Sequence, residues 1–282
     1  MSRFSRAEIV LLSITFVWGG TFAVVKFALN SASPLAFLAL RFGIASLVFP
    51  LVYRRNYFSM DRSTLVGGLF LGVLLMIGFA FQTVGLKYTT PSKSAFITGL
   101  LVALTPIAQA VIVKKLPSRG NMIGVVLTAI GLYLLTSPSG QGFNIGDILT
   151  LFCAISYAIY IVYLDIFSKK HDVSKLTLLQ LLVTCLLSAA AAPFCEKIEI
   201  HFTIGLVWAL LYTSILATVF STYLQTKYQR ETTPVKAAII YSMEPVLASL
   251  IAFFAFREFI GYVGVAGGVL IVAGLLTSEL LR

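Results

Sequence analysis

A chain of 282 residues in which 59% are hydrophobic and 11% are charged, with a mean hydropathy of +0.95, departs far from soluble globular domains, where about 25% of residues are charged. Such a composition excludes a soluble enzyme or binding module and defines an integral membrane protein. The net charge of +10 points to no nucleic-acid partner, because the basic residues follow a topological pattern.

A membrane-crossing helix needs about 20 mostly apolar residues, and ten such windows follow one another. The N-terminal "MSRFSRAEIV" leads into an apolar run that continues to about Leu29. That is longer than the 7–15 residues of a signal-peptide core, so it reads as a retained first helix over 7–28. The next spans are 34–53, with Arg41 well inside it, 64–86, 92–113 and 120–136. A loop rich in Gly, Pro and uncharged polar residues, "PSGQGFNIGD" at 138–147, divides the chain nearly in half. Beyond it come 146–166, 175–193, 204–226, 235–256 and 259–279. The expected fold class is an all-α polytopic membrane protein of ten transmembrane helices.

Arg3, Arg6, Arg54, Arg55, Arg62, Lys114, Lys115, Arg119, Lys169, Lys170, Lys175, Lys227, Arg230, Lys236 and Arg282 fall at the termini and in every second loop, 15 of the 21 basic residues. The intervening loops hold five, Lys26, Lys87, Lys93, Lys197 and Arg257. The positive-inside rule then puts both termini in the cytoplasm. Cys153, Cys185 and Cys195 show neither metal-ligand spacing nor a disulfide framework.

One offset relates the halves. Trp18 precedes Tyr157, Arg41 precedes Gln180 and Pro106 precedes Pro245 by 139 residues each, and "GVVLTAIG" (124–131) resembles "GGVLIVAG" (267–274). Residues 1–138 and 139–282 therefore read as two five-helix repeats, and an odd number of helices per half makes the second copy inverted. Inverted repeats recur in secondary transporters, with the substrate site at the midplane between them. A bundle whose halves match only because membrane helices look alike is the alternative.

The segments "FVWGGTFAVVKFAL", "PLAFLALRFGIASL", "SKSAFITGLLVALTPIAQAVIV", "GDILTLFCAISYAIYIVYL", "KAAIIYSMEPVLASLIAFFAFRE" and "GVAGGVLIVAGLL" together resemble the drug/metabolite transporter (DMT) superfamily, specifically its EamA-type ten-helix exporters. The resemblance spans essentially the whole chain. It implies a 5+5 inverted-repeat fold around a central cavity, an inner-membrane location and, for many members, export of amino acids or other small metabolites. One departure is visible: where the family carries a "GE" pair after the fourth helix of a half, the second half reads "FRE" with Glu258, and the first reads "VKKLPS" with no acid.

Polar residues inside spans are the candidates for transport. Ser214, Thr218, Ser221 and Gln225 share one face of helix 8 at helical spacing, and Thr98, Thr105 and Gln109 share one face of helix 4. Gln82 adds an amide that needs partners. Single hydroxyls also bond back to the preceding turn or join helices. Trp18, Tyr157 and Tyr160 either line a cavity or pack as core; Phe79 and Phe81 carry less weight. Arg41 could pair with Glu244, bond helix carbonyls or draw anions inward; a structural or gating role is favoured over direct substrate binding.

Glu244 and Pro245, in "YSMEPVLASL", sit near the middle of helix 9. Pro245 removes the donor for the carbonyl of Tyr241, as Pro106 does for Val102, so both helices are expected to kink. Freed carbonyls with a carboxylate make a seat for a substrate ammonium group or a proton; a bond that only joins helices is the alternative. Thr105 stands at the repeat-equivalent place, so the acid belongs to one half.

No catalytic constellation is present: His171 and His201 fall in expected loops, and no HExxH, GxSxG or phosphate-binding GxxxxGK[ST] sequence occurs. An enzyme and an ATP-driven pump are therefore disfavoured, while a passive channel remains the alternative to a secondary carrier. The expected partners are the lipid bilayer and a small-molecule substrate. No cofactor is expected beyond possible coupling to protons, and the chain acts as a monomer or a homodimer.

Overall fold

The computed structural model describes residues 5–55, 57, 59–136, 144–247 and 261–281. Glu258, Arg257, most of the loop at 138–147 and the second part of the expected ninth span lie outside them. In chain order the helices are α1 (Arg6–Ala28), α2 (Pro34–Val52), α3 (Arg62–Tyr88), α4 (Lys93–Val113), α5 (Arg119–Thr136), α6 (Ile145–Ser168), α7 (Val173–Cys195), α8 (Ile204–Glu231), α9 (Pro234–Tyr241) and α10 (Gly261–Leu280). Among the described residues eight are long and apolar enough to cross a membrane, and α5 is a shorter apolar helix. The chain is a multi-pass, all-helical membrane protein.

Several helices begin where the sequence supplies a cap. Ser5 and Glu8 form a capping box at α1, and Asn144 and Asp147 form another at α6; each satisfies orphan N–H groups at both ends of the box. Asp61, Asp172 and Thr203 cap α3, α7 and α8.

Burial is inverted relative to a soluble protein. Leu47, Leu51, Val111, Leu186 and Trp208 face outward, whereas Thr15, Arg41, Gln180, Thr184 and Gln229 are buried. The interior is held by hydrogen bonds as well as apolar contact: Ser156 donates to the carbonyl of Leu74 at 2.8 Å, and Gln229 to that of Ile161 at 2.7 Å.

Helices meet backbone to backbone where glycine faces glycine. α3 lies against α6 and α7, α2 against α7, and α5 runs along α10. A Cβ on Gly124 would stand 2.7 Å from the carbonyl oxygen of Gly274, and one on Gly131 would stand 2.7 Å from that of Gly267. These four glycines are the ends of the two similar segments at 124–131 and 267–274. The resemblance therefore has a packing cause, since small residues let membrane helices meet backbone to backbone.

The two proline-containing helices differ. α9 breaks at Ser242 and Met243, immediately before Glu244 and Pro245, with Met243 N–H bonding the carbonyl of Ile240 at 3.0 Å. That is where a proline at 245 leaves the carbonyl of Tyr241 without its usual donor. α4 instead stays helical through Pro106 and is interrupted earlier, at Leu100, whose N–H is shared between Phe96 and Ile97. The kink expected at Pro106 is displaced toward the N-terminus by more than a turn.

Candidate functional site

Between the helices lies a cavity of about 70 Å³. A water needs roughly 10–15 Å³ measured the same way, so the space accommodates several waters or a small polar solute. Eight lining residues precede the central loop: Trp18, Thr21, Arg41, Leu75, Phe79, Gln82, Thr98 and Leu101. Eight follow it: Tyr157, Tyr160, Ile161, Ala217, Thr222, Gln225, Tyr241 and Glu244. The cavity thus sits where the two parts of the chain meet.

Five of its sixteen wall residues are aromatic, and the polar edges of three, Trp18, Tyr160 and Tyr241, are tied to backbone or amides. Trp18 Nε1 donates to the carbonyl of Ala217 at 3.1 Å, and its ring stands edge-on to Tyr241 at 5.5 Å. Tyr241 Oη donates to Gln229 Oε1 at 3.0 Å and Tyr160 Oη to Gln180 Oε1 at 2.6 Å. Gln82 Nε2 donates to Thr98 Oγ1 at 3.3 Å. The hydroxyl of Tyr157 is buried and has no hydrogen-bond partner among the described residues.

Two charged side chains enter this wall. Arg41, 2% exposed, donates from Nε to Thr218 Oγ1 at 2.9 Å, and its guanidinium lies 4.7 Å from the centre of the Phe79 ring. Such a face-on cation is attracted by the ring quadrupole. Glu244 borders the cavity with no hydrogen bond or ion pair among the described residues. The two share the cavity without pairing, so an Arg41–Glu244 bridge, one of the options open to Arg41, is not formed among the described residues.

Trp18, Gln82, Thr98, Tyr157, Tyr160, Gln225, Tyr241, Glu244 and Arg41 are thus gathered in one place. Thr105, Gln109, Ser214, Thr218 and Ser221 are not among its lining residues, although Thr218 holds Arg41 from behind the wall. Thr105 donates back to the carbonyl of Leu101 at 2.7 Å, and Gln109 reaches the carbonyl of Lys115 at 3.4 Å beyond the end of its helix. Ser214 is fully buried among helices.

The helix 8 stripe fails for an identifiable reason. Residues Tyr212–Phe220 are wound as π-helix, with i→i+5 bonds that turn each residue through a smaller angle than an α-helix does. Thr218 and Ser221 bond back to the carbonyls of Thr213 and Leu216, each five residues earlier, at 2.7 and 2.8 Å. The face presented to the cavity becomes Ala217, Thr222 and Gln225. Phe79 lines the cavity more fully than its sequence position suggests, whereas Phe81 packs on Phe152 at 5.5 Å.

Trp18 separates two effects that can be measured. Trp18→Phe keeps a ring in the wall and loses one neutral hydrogen bond, a cost of about 0.5–1.5 kcal/mol. The expected result is slightly lower thermal stability with unchanged substrate preference. Trp18→Ala enlarges the cavity and is expected to change the preference itself in uptake competition assays. Equal competition profiles for both variants would reduce Trp18 to a packing residue.

A bundle that turns apolar side chains outward and encloses a polar, aromatic-walled cavity between its membrane-crossing helices has the build of a solute carrier. The model of the EamA-like transporter family matches residues 5–137 and again 144–279. The chain belongs to that family, within the drug/metabolite transporter superfamily. It is 36% identical over 97% of its length to an uncharacterized transporter of Archaeoglobus fulgidus, of which it covers 86%. It is also 27% identical over 96% of its length to a WAT1-related protein of Arabidopsis thaliana, 79% covered. A solved crystal structure superposes with a TM-score of 0.83 at 19% identity, covering 99% of this chain and 98% of the other, which establishes a shared fold. These names and the membrane-crossing helices identify a membrane transporter rather than an enzyme.

Proposed function

We propose that the protein is a secondary carrier that exports a small metabolite, an amino acid or similar zwitterion, across the inner membrane. It does so by alternating access about the central cavity. The observation that carries this reading is the cavity itself, which takes half its wall from each side of the central loop and holds Arg41 together with Glu244, which has no ion pair among the described residues. Glu244 offers a seat for an ammonium group or a proton, Arg41 a counter-charge for a carboxylate, and the rings of Trp18, Tyr157 and Tyr241 a surface for an apolar side chain.

The double family match at 5–137 and 144–279 supports two homologous halves, read here as residues 1–138 and 139–282. Five helices in each half invert the second copy, and the basic loops favour both termini in the cytoplasm. Outward direction and the inner membrane rest on the family resemblance. The alternative, a passive channel, needs the same polar interior but not the rocking of two halves.

Counterflow in proteoliposomes separates the two. Vesicles preloaded with unlabelled amino acid are expected to accumulate the labelled one transiently, with saturation and with sensitivity to a pH gradient. A rapid nonsaturable leak without countertransport would establish the channel instead.

A further inference from the structure

Two buried ion pairs lie at opposite ends of the bundle, apart from the cavity wall. Where α1 begins, Glu8 of α1 meets Lys236 of α9, their side chains 3% and 7% exposed. Where α1 finishes, Lys93 of α4 meets Asp147 of α6 at 2.6 Å, with exposures of 15% and 0%. Thr89 also donates to Asp147 at 2.7 Å, and Lys26, near the end of α1, donates to the neighbouring carbonyls of Leu86 and Thr89.

The pairs share one construction. Each acid is the third residue of its helix and closes a capping box, Glu8 with Ser5 and Asp147 with Asn144. Each lysine follows a threonine cap that accepts its backbone N–H, Thr90 for Lys93 at 3.3 Å and Thr233 for Lys236 at 3.2 Å. The pattern is written in the chain: "TTPSKSA" at 89–95 recurs as "TTPVKAA" at 232–238, and Glu8 precedes Asp147 by the 139 residues that separate Pro106 from Pro245. In both pairs one partner precedes the central loop and the other follows it, so the two are exchanged copies of one contact.

Electrostatics make these junctions conditional. Two helix N-termini meet at each, both carrying roughly half a positive charge, and the lysine adds a full one. The carboxylate is what turns that meeting attractive. Without it, the lysine loses its ion-pair partner at that junction, and breaking one side of a buried pair is costly.

We propose that Glu8–Lys236 and Lys93–Asp147 are the two latches of the carrier, each holding one end of the bundle shut and released in alternation during transport. This rests on the alternating-access reading above. Because each pair bridges the halves, the halves can separate at one end only by breaking that end's pair.

Hydrogen–deuterium exchange on the full chain in nanodiscs tests this without a substrate. Glu8→Gln is expected to speed exchange roughly tenfold or more at the starts of α1 and α9, while the starts of α4 and α6 exchange at the original rate or more slowly. Asp147→Asn should give the mirror image. The doubly neutral Glu8→Gln/Lys236→Gln chain removes the ammonium as well as the carboxylate and should still open the first end selectively. Recovery of full protection in that double variant, or loosening of both ends together in each single variant, overturns the latches. Failure of the carrier reading is seen elsewhere, as absent counterflow by the unaltered chain with selective end opening intact.

Discussion

Glu244→Gln is expected to abolish the pH dependence of transport and to lower uptake at least roughly tenfold, while the protein remains folded and inserted. The substitution keeps the size and planar shape of the side chain and removes its capacity to ionise. A hydrogen bond to a charged group contributes about 1.5–3 kcal/mol, and each 1.4 kcal/mol is a factor of about ten. The geometry isolates the effect: Glu244 lines the cavity without an ion pair among the described residues, so no structural bridge is broken by neutralising it. Arg41, the other charged residue of the cavity wall, bonds Thr218 and lies over Phe79. Uptake should be measured across pH in proteoliposomes, with a thermal melt as control. An unaltered pH profile would remove Glu244 from the transport cycle.

The asymmetry of that residue was legible before any coordinates. Pro106 and Pro245 occupy equivalent places, but Thr105 stands where the second half has Glu244, and Thr105 bonds back to the carbonyl of Leu101 and is not among the cavity-lining residues. The apolar windows were equally legible, because a lipid-facing helix must present long apolar runs and several begin at a recognisable cap. The wall of the cavity was legible where an aromatic or amide side chain interrupted those runs, as at Trp18, Gln82, Tyr157 and Gln225.

What escaped reading has local causes. The π-helical winding of Tyr212–Phe220 rotates the helix 8 stripe, and a period of 3.6 applied across it assigns Thr218 and Ser221 to the wrong face. Thr21, Leu75, Leu101, Ile161 and Ala217 line the cavity but are too ordinary in a membrane helix to stand out. The lysines at 93 and 236 resembled loop charges until their positions beside Asp147 and Glu8 became apparent. The repeated "TTPxKxA" carries the signal, displaced by four residues from the 139-residue offset that relates Pro106 to Pro245.

Adjacent glycines in α10 supply a sharper test of how the bundle is held. Gly267→Ala is expected to destabilise the protein by about 1–3 kcal/mol, the usual range for overpacking a filled contact. Its new Cβ would lie 2.3 Å from the backbone nitrogen of Leu135 and 2.6 Å from the carbonyl oxygen of Gly131. Those are backbone atoms of α5, which no side-chain rotation can move aside, so the two helices must separate. Gly268→Ala meets only the side chains of Leu135 and Val246, each at 3.9 Å. It gains alanine's helix preference over glycine, up to about 1 kcal/mol, without a clash. Thermal melts in one detergent should therefore move in opposite directions for neighbouring positions carrying the same substitution. Equal shifts for the two would mean that α5 and α10 are not held backbone to backbone, and that the glycines common to 124–131 and 267–274 are matched for some reason other than packing.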